Sequence, residues 1–443
     1  MKKTLKIAVL LCLSAIVTIC LASCNQLPFG NKGTTPNVTT PEGSAPEYTG
    51  PYSSGFEYVK NGDGTCTIVG IGTCTDLDVH VPPQIDGYKV VSIGEEAFGG
   101  CGELTSITLP NTVTTVGEYA FGGCSDMISI TLPNTITSIG EYAFDECNNL
   151  KSITLPKSLT VISAYTFKAC HKLTSVTIPN SVTMIDEGAF DYCKNLISVT
   201  IPNSVTEVRA NAFDDCESLT SVTLPNGLTR IDSRVFSGCE SLKDVTIPNG
   251  VTSIGERAFW SCSSLTSINI PNGVAVIEGD AFGRCESLIS VTIPDSVTSI
   301  GGSAFSGCSS LESITIPNSV TEIGHSAFEL CLSLTSVTIP EGITKINSNV
   351  FGNSKLLTSV TIPDSVTSIG AYAFNGCNSL QSITIPQNVT ELSHYALGNC
   401  TSLATITFEG TVEQWKAMTF GHEWNCNILA TEVICSNGVV PLN

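Results

Sequence analysis

The stretch that decides the fold is LTSVTIPNSVTMIDEGAFDYC, which runs from Leu173 to Cys193. One step further along the chain, from Leu196 to Cys216, the sequence reads LISVTIPNSVTEVRANAFDDC. The second stretch nearly repeats the first, 23 residues further along the chain. A constant period of this length is typical of a solenoid, in which each turn of the chain stacks on the turn before it.

The cysteines show how far the repeat extends. Thirteen of them fall on one 23-residue grid, and Ser354 is the single interruption, so the sequence predicts fourteen turns without an insertion or deletion. The grid cysteines are Cys101, Cys124, Cys147, Cys170, Cys193, Cys216, Cys239, Cys262, Cys285, Cys308, Cys331, Cys377 and Cys400.

Each unit carries the signals of two short strands and a turn. Ser175–Ile178 alternates polar and apolar residues, as a half-buried strand does. Pro179 ends this strand, because proline has no N–H to give to a ladder. Val182 and Ile185 indicate a second short strand. The following EGAFDYC segment predicts one helical or 3₁₀ turn, which packs a small alanine and a large phenylalanine.

This unit resembles the BspA-like leucine-rich repeats of bacterial surface proteins. The resemblance covers about residues 56–435 and implies a mainly β, right-handed leucine-rich-repeat solenoid of about fourteen 23-residue turns with short helical or 3₁₀ turns. It also implies a role in adhesion. The residues that carry it are Leu173, Val176, Ile178, Pro179, Val182, Ile185, Ala189, Phe190 and Cys193, with their equivalents in other units.

The N-terminus has the features of an export signal. Residues 1–23 begin with a positive segment and continue with an apolar run from Ile7 to Leu21, which is short for a membrane span. The run ends in Leu21-Ala22-Ser23-Cys24, which resembles a bacterial lipobox. We therefore expect lipidation at Cys24 and a protein that is exported and anchored at the cell surface or outer membrane. The alternative is an ordinary cleaved signal with an incidental cysteine.

The remaining chain divides into four parts. Residues 24–55 are rich in Pro, Thr and Gly and predict a disordered linker. Residues 56–96 predict an N-terminal cap with an atypical repeat, residues 97–408 the repeats, and residues 409–443 a C-terminal cap. The large apolar residues expected to cover the last turn are Trp415, Trp424, Ile428, Val433 and Ile434.

The regular cysteines predict a column of buried thiols that act as small apolar residues. Parallel side chains of this kind do not suit disulfides, and a line of thiols does not converge on a metal ion as zinc requires. So many thiols in an exported protein suggest an anoxic habitat, because oxidising compartments favour disulfides. Two candidate disulfide pairs lie in the caps, namely Cys66 with Cys74 and Cys426 with Cys435.

No catalytic set is apparent, so we expect no enzyme, no cofactor and no metal site. Of the five histidines only His325 and His394 share a repeat position, three periods apart, and no phosphate-binding or hydrolase motif is present. Acidic clusters such as Asp214, Asp215 and Glu217 indicate a solvated flank, with calcium binding as the alternative. The net charge of −20 argues against nucleic acid as a partner and leaves the lipid as the only predicted membrane contact.

The surface that recurs in the repeats is hydroxylated. The outward positions of the first strand form two lines, which we call the Ser/Thr rows, and they are the candidate binding face. One alternative is that these residues only keep the exposed face of the sheet soluble, for which threonine is well suited; the other is an ice-binding face. The candidate residues are Ser175, Thr177, Ser198, Thr200, Ser221, Thr223, Ser290, Thr292, Ser313 and Thr315.

The column just before the rows is more variable, and Ile128, Ile197 and Ile289 stand in it. These side chains are either exposed apolar contacts or are tucked between turns, and the sequence alone does not decide between the two. The function expected from the whole pattern is recognition or adhesion at the cell surface, with a protein of a host or a neighbouring cell as the partner. Two alternatives stay open: an envelope spacer without a specific ligand, and a glycan-binding surface lipoprotein.

Overall fold

The computed structural model describes residues 48–442 of the chain. The predicted signal peptide, the lipidation site Cys24 and the linker up to residue 47 lie outside the described residues. The chain divides into two compact units, Met1–Ser181 and Val182–Asn443. In each of them, coils of 23 residues stack through short parallel strands, which confirms the predicted mainly β, leucine-rich-repeat solenoid.

Twelve strands lie in the described part of the first unit. They are β1 Glu57–Lys60, β2 Thr65–Gly70, β3 Asp78–His80, β4 Gln84–Ile85, β5 Tyr88–Ile93, β6 Ser106–Thr108, β7 Thr115–Val116, β8 Ser129–Thr131, β9 Ser138–Ile139, β10 Ser152–Thr154, β11 Val161–Ile162 and β12 Ser175–Thr177.

The second unit begins with the same alternation of a three-residue and a two-residue strand. Its strands are β13 Met184–Ile185, β14 Ser198–Thr200, β15 Glu207–Val208, β16 Ser221–Thr223, β17 Asp244–Val245, β18 Ser253–Ile254, β19 Ser267–Asn269, β20 Val276–Ile277, β21 Ser290–Thr292, β22 Ser299–Ile300, β23 Ser313–Thr315, β24 Glu322–Ile323, β25 Ser336–Thr338, β26 Lys345–Ile346, β27 Ser359–Thr361, β28 Ser368–Ile369, β29 Ser382–Ile385, β30 Glu391–Leu392, β31 Thr405–Phe408, β32 Thr419–Phe420, β33 Glu432–Cys435 and β34 Gly438–Pro441, with the helix α1 Val412–Ala417 between β31 and β32.

Most coils have two strands, and these pair in parallel with the equivalent strand of an adjacent coil. In the second unit β14 pairs in parallel with β16, so that Ser198 lies beside Ser221 and Thr200 beside Thr223. The second strands form a separate ladder, as in β20 with β22. The predicted helical or 3₁₀ segment is a run of single turns, because two positions in it have positive φ, for example Gly188 at 57° and Tyr192 at 58°. A left-handed residue interrupts a helix.

A stack of phenylalanine rings fills the core of each unit. In the first unit the rings from Phe98 to Phe167 lie 5.3 Å apart between centroids, nearly parallel. In the second unit the rings from Phe190 to Phe374 lie 5.3 to 5.7 Å apart. The side chains of these phenylalanines are fully buried from solvent. Burial of a side chain of this size contributes roughly 2–3 kcal/mol, and each aromatic pair about 1 kcal/mol more.

The grid cysteines lie beside this stack, and apart from Cys101 they are completely buried, as predicted. Their thiols also act as donors, which the sequence did not reveal. The Sγ of Cys285 lies 3.2 Å from the carbonyl oxygen of Phe259, which also accepts the N–H of Cys262. Where Ser354 replaces cysteine, its Oγ donates in the same way to the carbonyl of Phe328 at 3.3 Å. The interruption of the grid therefore preserves the hydrogen bond.

Both ends of the repeat region are closed by antiparallel elements, which keep an open sheet edge from pairing with another chain. At the N-terminal end, β1 pairs antiparallel with β2, and Ser53 exchanges hydrogen bonds with the backbone of His80 at 2.9 and 3.1 Å. The ring of Tyr48 stacks on His80 with centroids 3.8 Å apart. Residues 48–55, assigned above to the linker, thus lie against the first strands.

At the C-terminal end, helix α1 starts at a capping box formed by Thr411 and Gln414. Trp415 of this helix, Trp424 and Val433 are buried as predicted, and Ile428 is half-buried. The prediction for Ile434 is wrong, because this side chain is 44% exposed. Strand β33 alternates inward and outward residues, so its register turns Val433 inward and its neighbour outward. Cys66, Cys74, Cys426 and Cys435 are free thiols in the structure.

The thiol hydrogen bond can be tested at Cys285. We expect Cys285→Ala to lower the free energy of unfolding by about 1–2 kcal/mol, because the Phe259 carbonyl loses a donor and a small void forms. Cys285→Ser retains a donor and should cost less than the alanine variant. Urea denaturation followed by circular dichroism measures both. An alanine variant more stable than the serine variant would contradict a donor role and leave only packing.

The candidate binding face

The first strands present the Ser/Thr rows to solvent. In every one of these strands the middle residue points into the core and its two neighbours point outward. All ten predicted residues are exposed. Ser175 and Thr177 belong to the first unit, and the other eight belong to the second, where parallel pairing keeps equivalent residues side by side.

The rows differ from the other hydroxyl columns of the protein. In other columns the hydroxyls donate hydrogen bonds to backbone carbonyls. Thr252 Oγ1 donates to the carbonyl of Thr229 at 3.1 Å, and Ser296 Oγ donates to that of Val274 at 2.7 Å. None of the ten predicted row residues, all of which lie in the part of the chain that the structure describes, forms a side-chain hydrogen bond within the protein. Their hydroxyls are therefore available to a partner.

Three isoleucines interrupt the polar surface beside the rows, and the structure decides the question that the sequence left open. Ile128, in the first unit, is 46% exposed, and Ile197 and Ile289, in the second, are 51% and 48% exposed. Threonines stand at the same position in neighbouring coils and bond to the backbone, as Thr220 Oγ1 does to the carbonyl of Ile197 at 3.1 Å. Each isoleucine is thus a single apolar contact on a hydroxylated surface.

The titratable groups form no reactive centre in the described residues. Burial raises the pKa of the column thiols well above its usual value, for example at Cys216 and Cys285, which makes them poor nucleophiles. The histidines that pair with carboxylates do so singly: His80 with Asp78 at 3.5 Å and the exposed His422 with Glu423 at 3.3 Å. Between residues 48 and 442, no three His, Cys, Asp or Glu side chains are placed to hold a metal ion.

Two features off this face were not predicted. A stack of half-exposed tyrosines lies in the turn segments of the first unit, with Tyr119 and Tyr142 centroids 4.6 Å apart and those of Tyr142 and Tyr165 4.8 Å apart. In the second unit, a polar cleft of about 490 Å³ opens between two coils near Arg209 and Asp232. The tyrosine spacing of 23 residues could have revealed the stack, whereas the cleft has no signal of its own in the repeat pattern.

The family model for the BspA-type leucine-rich repeat region, in six copies, matches residues 91–219, 184–312 and 299–430. The chain belongs to this family. It is a leucine-rich repeat scaffold of a kind associated with protein interaction or with the cell surface, and such scaffolds are typically not enzymes. No curated protein matches the sequence.

Three solved structures are similar to the chain. A leucine-rich repeat protein from Bacteroides ovatus has 31% identity and a TM-score of 0.68, over 86% of this chain and 92% of that one. The pneumococcal vaccine antigen PcpA has 20% identity and a TM-score of 0.53, over 86% and 96%. A leucine-rich cell surface protein from Faecalibacterium prausnitzii has 29% identity and a TM-score of 0.47, over 84% and 98%.

The described residues include no helix that is long and apolar enough to cross a membrane.

The raised thiol pKa values predict alkaline unfolding. Burial raises the pKa of Cys308 and Cys400 from 9.0 to about 12. Below pH 9 the thiols are protonated in both states, so their contribution to stability is complete. As the pH rises from 9 towards 12, only the unfolded chain ionises them, and each such thiol lowers the unfolding free energy by about 1.4 kcal/mol per pH unit. We expect cooperative unfolding above pH 9, followed by circular dichroism.

The matched variant carries Cys239→Ser, Cys262→Ser and Cys285→Ser, which removes three of these titrating groups and keeps a donor at each position. Its alkaline midpoint should move to higher pH, measured relative to its own stability at pH 7. An unchanged midpoint would mean that other groups, such as tyrosines, control the transition.

Proposed function

We propose that the chain is a lipid-anchored recognition protein of the bacterial surface, which adheres to a host or neighbouring-cell protein through the Ser/Thr rows. In this proposal residues 1–23 direct export, Cys24 carries the lipid, and the part of the linker before residue 48 holds the repeats away from the membrane. Residues 56–96 and 409–443 close the ends of the repeat region 97–408.

The observation that carries the proposal is the contrast between hydroxyl columns. A hydroxyl that already donates to a backbone carbonyl must give up that bond before it can bind a partner. The hydroxyls of Thr200 and Thr223 are exposed and make no hydrogen bond inside the protein, so an interface gains their bonds without losing others. Parallel pairing keeps such residues in register, which offers a partner a regular surface.

The exposed isoleucines add an apolar contribution to the same region. Ile197 lies one residue before Ser198, and Ile289 lies one residue before Ser290, so both side chains border the rows. Apolar anchors within a polar surround are the usual arrangement of a protein interface. This combination favours a protein partner over a spacer without a ligand, which would have no need of exposed apolar residues.

A glycan partner is less well supported. Sugar rings bind to open aromatic faces, and the half-exposed tyrosines of the first unit lie in the turn segments rather than on the rows. Tyr119, Tyr142 and Tyr165 are stacked with interplanar angles of 5° and 11°, so the faces within the stack cover one another. The edges that remain accessible do not offer a stacking platform.

The test is binding of the chain from residue 24 onward to a panel of matrix proteins, glycans and whole cells. We expect saturable binding to a protein or a cell, weakened at least tenfold in a triple variant with Thr200→Lys, Thr223→Lys and Thr292→Lys. Long charged side chains there would hold a partner away from the rows. Surface plasmon resonance measures purified ligands, and flow cytometry measures cells.

The matched control introduces the same charge elsewhere, with Asn249→Lys, Asn272→Lys and Asn318→Lys at exposed positions where another coil naturally carries Lys157. The row variant should fold, since Asp244 already places a charge on the rows. Equal loss of binding in both variants would indicate a general charge effect. Absence of binding across the panel would favour the spacer, and binding to glycans alone would contradict a protein partner.

A further inference from the structure

The N-terminal end of the repeat region has a pocket on the same face as the Ser/Thr rows. His80 stands at the outward position of β3 that threonine holds in β6 and β8, at Thr108 and Thr131. The ring of Tyr48 stacks on His80, and the ring of Tyr52 meets Tyr48 edge-on, with 5.6 Å between their centroids. A pocket of about 110 Å³, which we call the Tyr48 pocket, lies between these rings and the chain that follows β6.

The tyrosine wall of the pocket is held in place by hydrogen bonds. The hydroxyl of Tyr48 donates to the carbonyl of Pro51 at 3.2 Å, and that of Tyr52 donates to the carbonyl of Tyr48 at 3.2 Å. The N–H of Ser53 donates to the carbonyl of His80 at 2.9 Å, which ties this segment to β3. The pocket is therefore formed before a ligand arrives, so that binding requires little ordering of the chain.

One wall of the pocket contains a hydroxyl without a partner. At the same repeat position in the next two coils of the first unit, Thr135 Oγ1 donates to the carbonyl of Val113 at 2.7 Å, and Ser158 Oγ donates to that of Ile136 at 2.9 Å. The Oγ1 of Thr112 is also buried, but among the residues described it has no hydrogen-bond partner. A ligand that offers it an acceptor relieves this unfavourable burial.

The second unsatisfied atom in the pocket belongs to His80. Its Nε2 lies 3.5 Å from Oδ2 of Asp78, which favours the tautomer that carries the proton on Nε2. Nδ1 is then an acceptor, and it is buried without a hydrogen-bond partner in the described part of the chain. The pocket thus offers one ligand a donor at Thr112 and an acceptor at His80.

The rest of the lining restricts the charge and size of that ligand. It includes Pro83 and Pro110 but no Asp, Glu, Lys or Arg, so a charged group inside the pocket would have no counter-ion. Pockets that enclose a whole small molecule measure about 300–1,000 Å³. The Tyr48 pocket, at about 110 Å³, therefore takes a single small and uncharged group.

A proline residue in an extended segment meets each of these conditions. Its ring is small, apolar and uncharged, and proline-rich segments dock in aromatic-lined grooves because their conformation is already formed before binding. The peptide carbonyl before the proline can accept from the hydroxyl of Thr112, and the N–H of the residue after it can donate to Nδ1 of His80. Both unsatisfied atoms then have a partner.

We propose that the Tyr48 pocket binds a proline residue in an extended segment of a partner protein. The proline ring packs against Tyr48 and Tyr52, and its flanking peptide groups bond to Thr112 and His80. The pocket adds a second point of contact on the face of the Ser/Thr rows, but it does not rest on the role of the ten row residues. Its own test therefore separates it from the rows.

The probe is the peptide acetyl-Ser-Pro-Pro-Ser-Pro-Pro-Ser-amide, labelled with an uncharged fluorophore and titrated against the chain from residue 24 onward by fluorescence anisotropy. We expect saturable binding at millimolar peptide or below, weakened at least tenfold when alanine replaces every proline. Equal binding of the alanine peptide would overturn the proposal, because the proline ring would then contribute nothing. Absence of binding at millimolar peptide would overturn it too.

The repeat offers a matched pair of hydroxyl variants. Thr112→Val removes the hydroxyl in the pocket and should weaken peptide binding at least threefold, without lowering the urea midpoint of the free chain, since this hydroxyl has no partner to lose. Thr135→Val removes a hydroxyl that bonds to Val113, so it should lower the urea midpoint and leave peptide binding unchanged. Unchanged binding in Thr112→Val would contradict a hydrogen bond to the peptide.

The aromatic wall has a matched control in the second unit. Tyr52 and Tyr372 are 40% and 41% exposed, so the chain should fold when either is replaced by alanine. Tyr52→Ala should weaken peptide binding at least tenfold, whereas Tyr372→Ala should leave it unchanged. Equal affinities in the two variants would place the peptide at another site and contradict the proposal.

Two further variants distinguish the other possible occupants and sites. The row variant with Thr200→Lys, Thr223→Lys and Thr292→Lys should bind the peptide as the unmodified chain does, and loss of binding there would assign the peptide to the rows instead.

The chain also has prolines of its own before residue 48. A variant with Pro36→Ala, Pro41→Ala and Pro46→Ala should bind the peptide with unchanged affinity. Binding at least tenfold tighter in this variant would identify the linker as the natural occupant of the pocket and contradict a partner protein.

Discussion

The structure depends on one requirement that every coil must meet, which is that its inward-facing backbone groups find partners in the adjacent coil. The turn segment meets it through the phenylalanine carbonyls. The carbonyl of Phe259, for example, accepts the N–H of Cys262 in its own coil and the thiol of Cys285 in the next. Because this carbonyl is buried beside the ring stack, water cannot replace either donor. Without the thiol, the carbonyl of the preceding coil would keep only one of its two donors.

This requirement explains why the period is so constant and where the protein is free to vary. An inserted residue would shift the thiol away from its carbonyl and the phenylalanine out of its stack, so both would be lost together. Outward-facing residues are not constrained by the stacking of coils, and Asp244 and Asn269 therefore occur among the serines and threonines of the rows. The surface available for recognition is therefore the part of the coil that the stack does not use.

The repeat period, the two strands of each coil and the inward or outward direction of their residues could all be predicted from the sequence, because each follows from a short-range apolar pattern. The exposure of Ile128, Ile197 and Ile289 could not, because the repeat pattern is equally compatible with side chains tucked between coils. The hydrogen bonds donated by the thiols could not be predicted, because a buried cysteine gives the same sequence pattern whether or not its thiol donates a hydrogen bond. Ile434 was misplaced because the C-terminal cap leaves the repeat, so no neighbouring unit indicates its register.

The cleft near Arg209 and Asp232 could not be predicted from the sequence either, because it depends on how adjacent coils pack in three dimensions. Ser163, Asp232 and Asn347 look alike in the sequence as polar replacements for glycine, but of these side chains only those of Ser163 and Asn347 donate to a carbonyl of an adjacent coil.

The most direct test of this account is native-state hydrogen exchange of the unliganded chain, resolved coil by coil. We expect slow exchange at the amides of the phenylalanine and cysteine positions in all inner coils, and much faster exchange at Thr229 and Asp232 than at their equivalents Thr252 and Gly255, which are hydrogen-bonded. Uniform protection along the second-strand ladder, with Thr229 and Asp232 as slow as their equivalents, would contradict it.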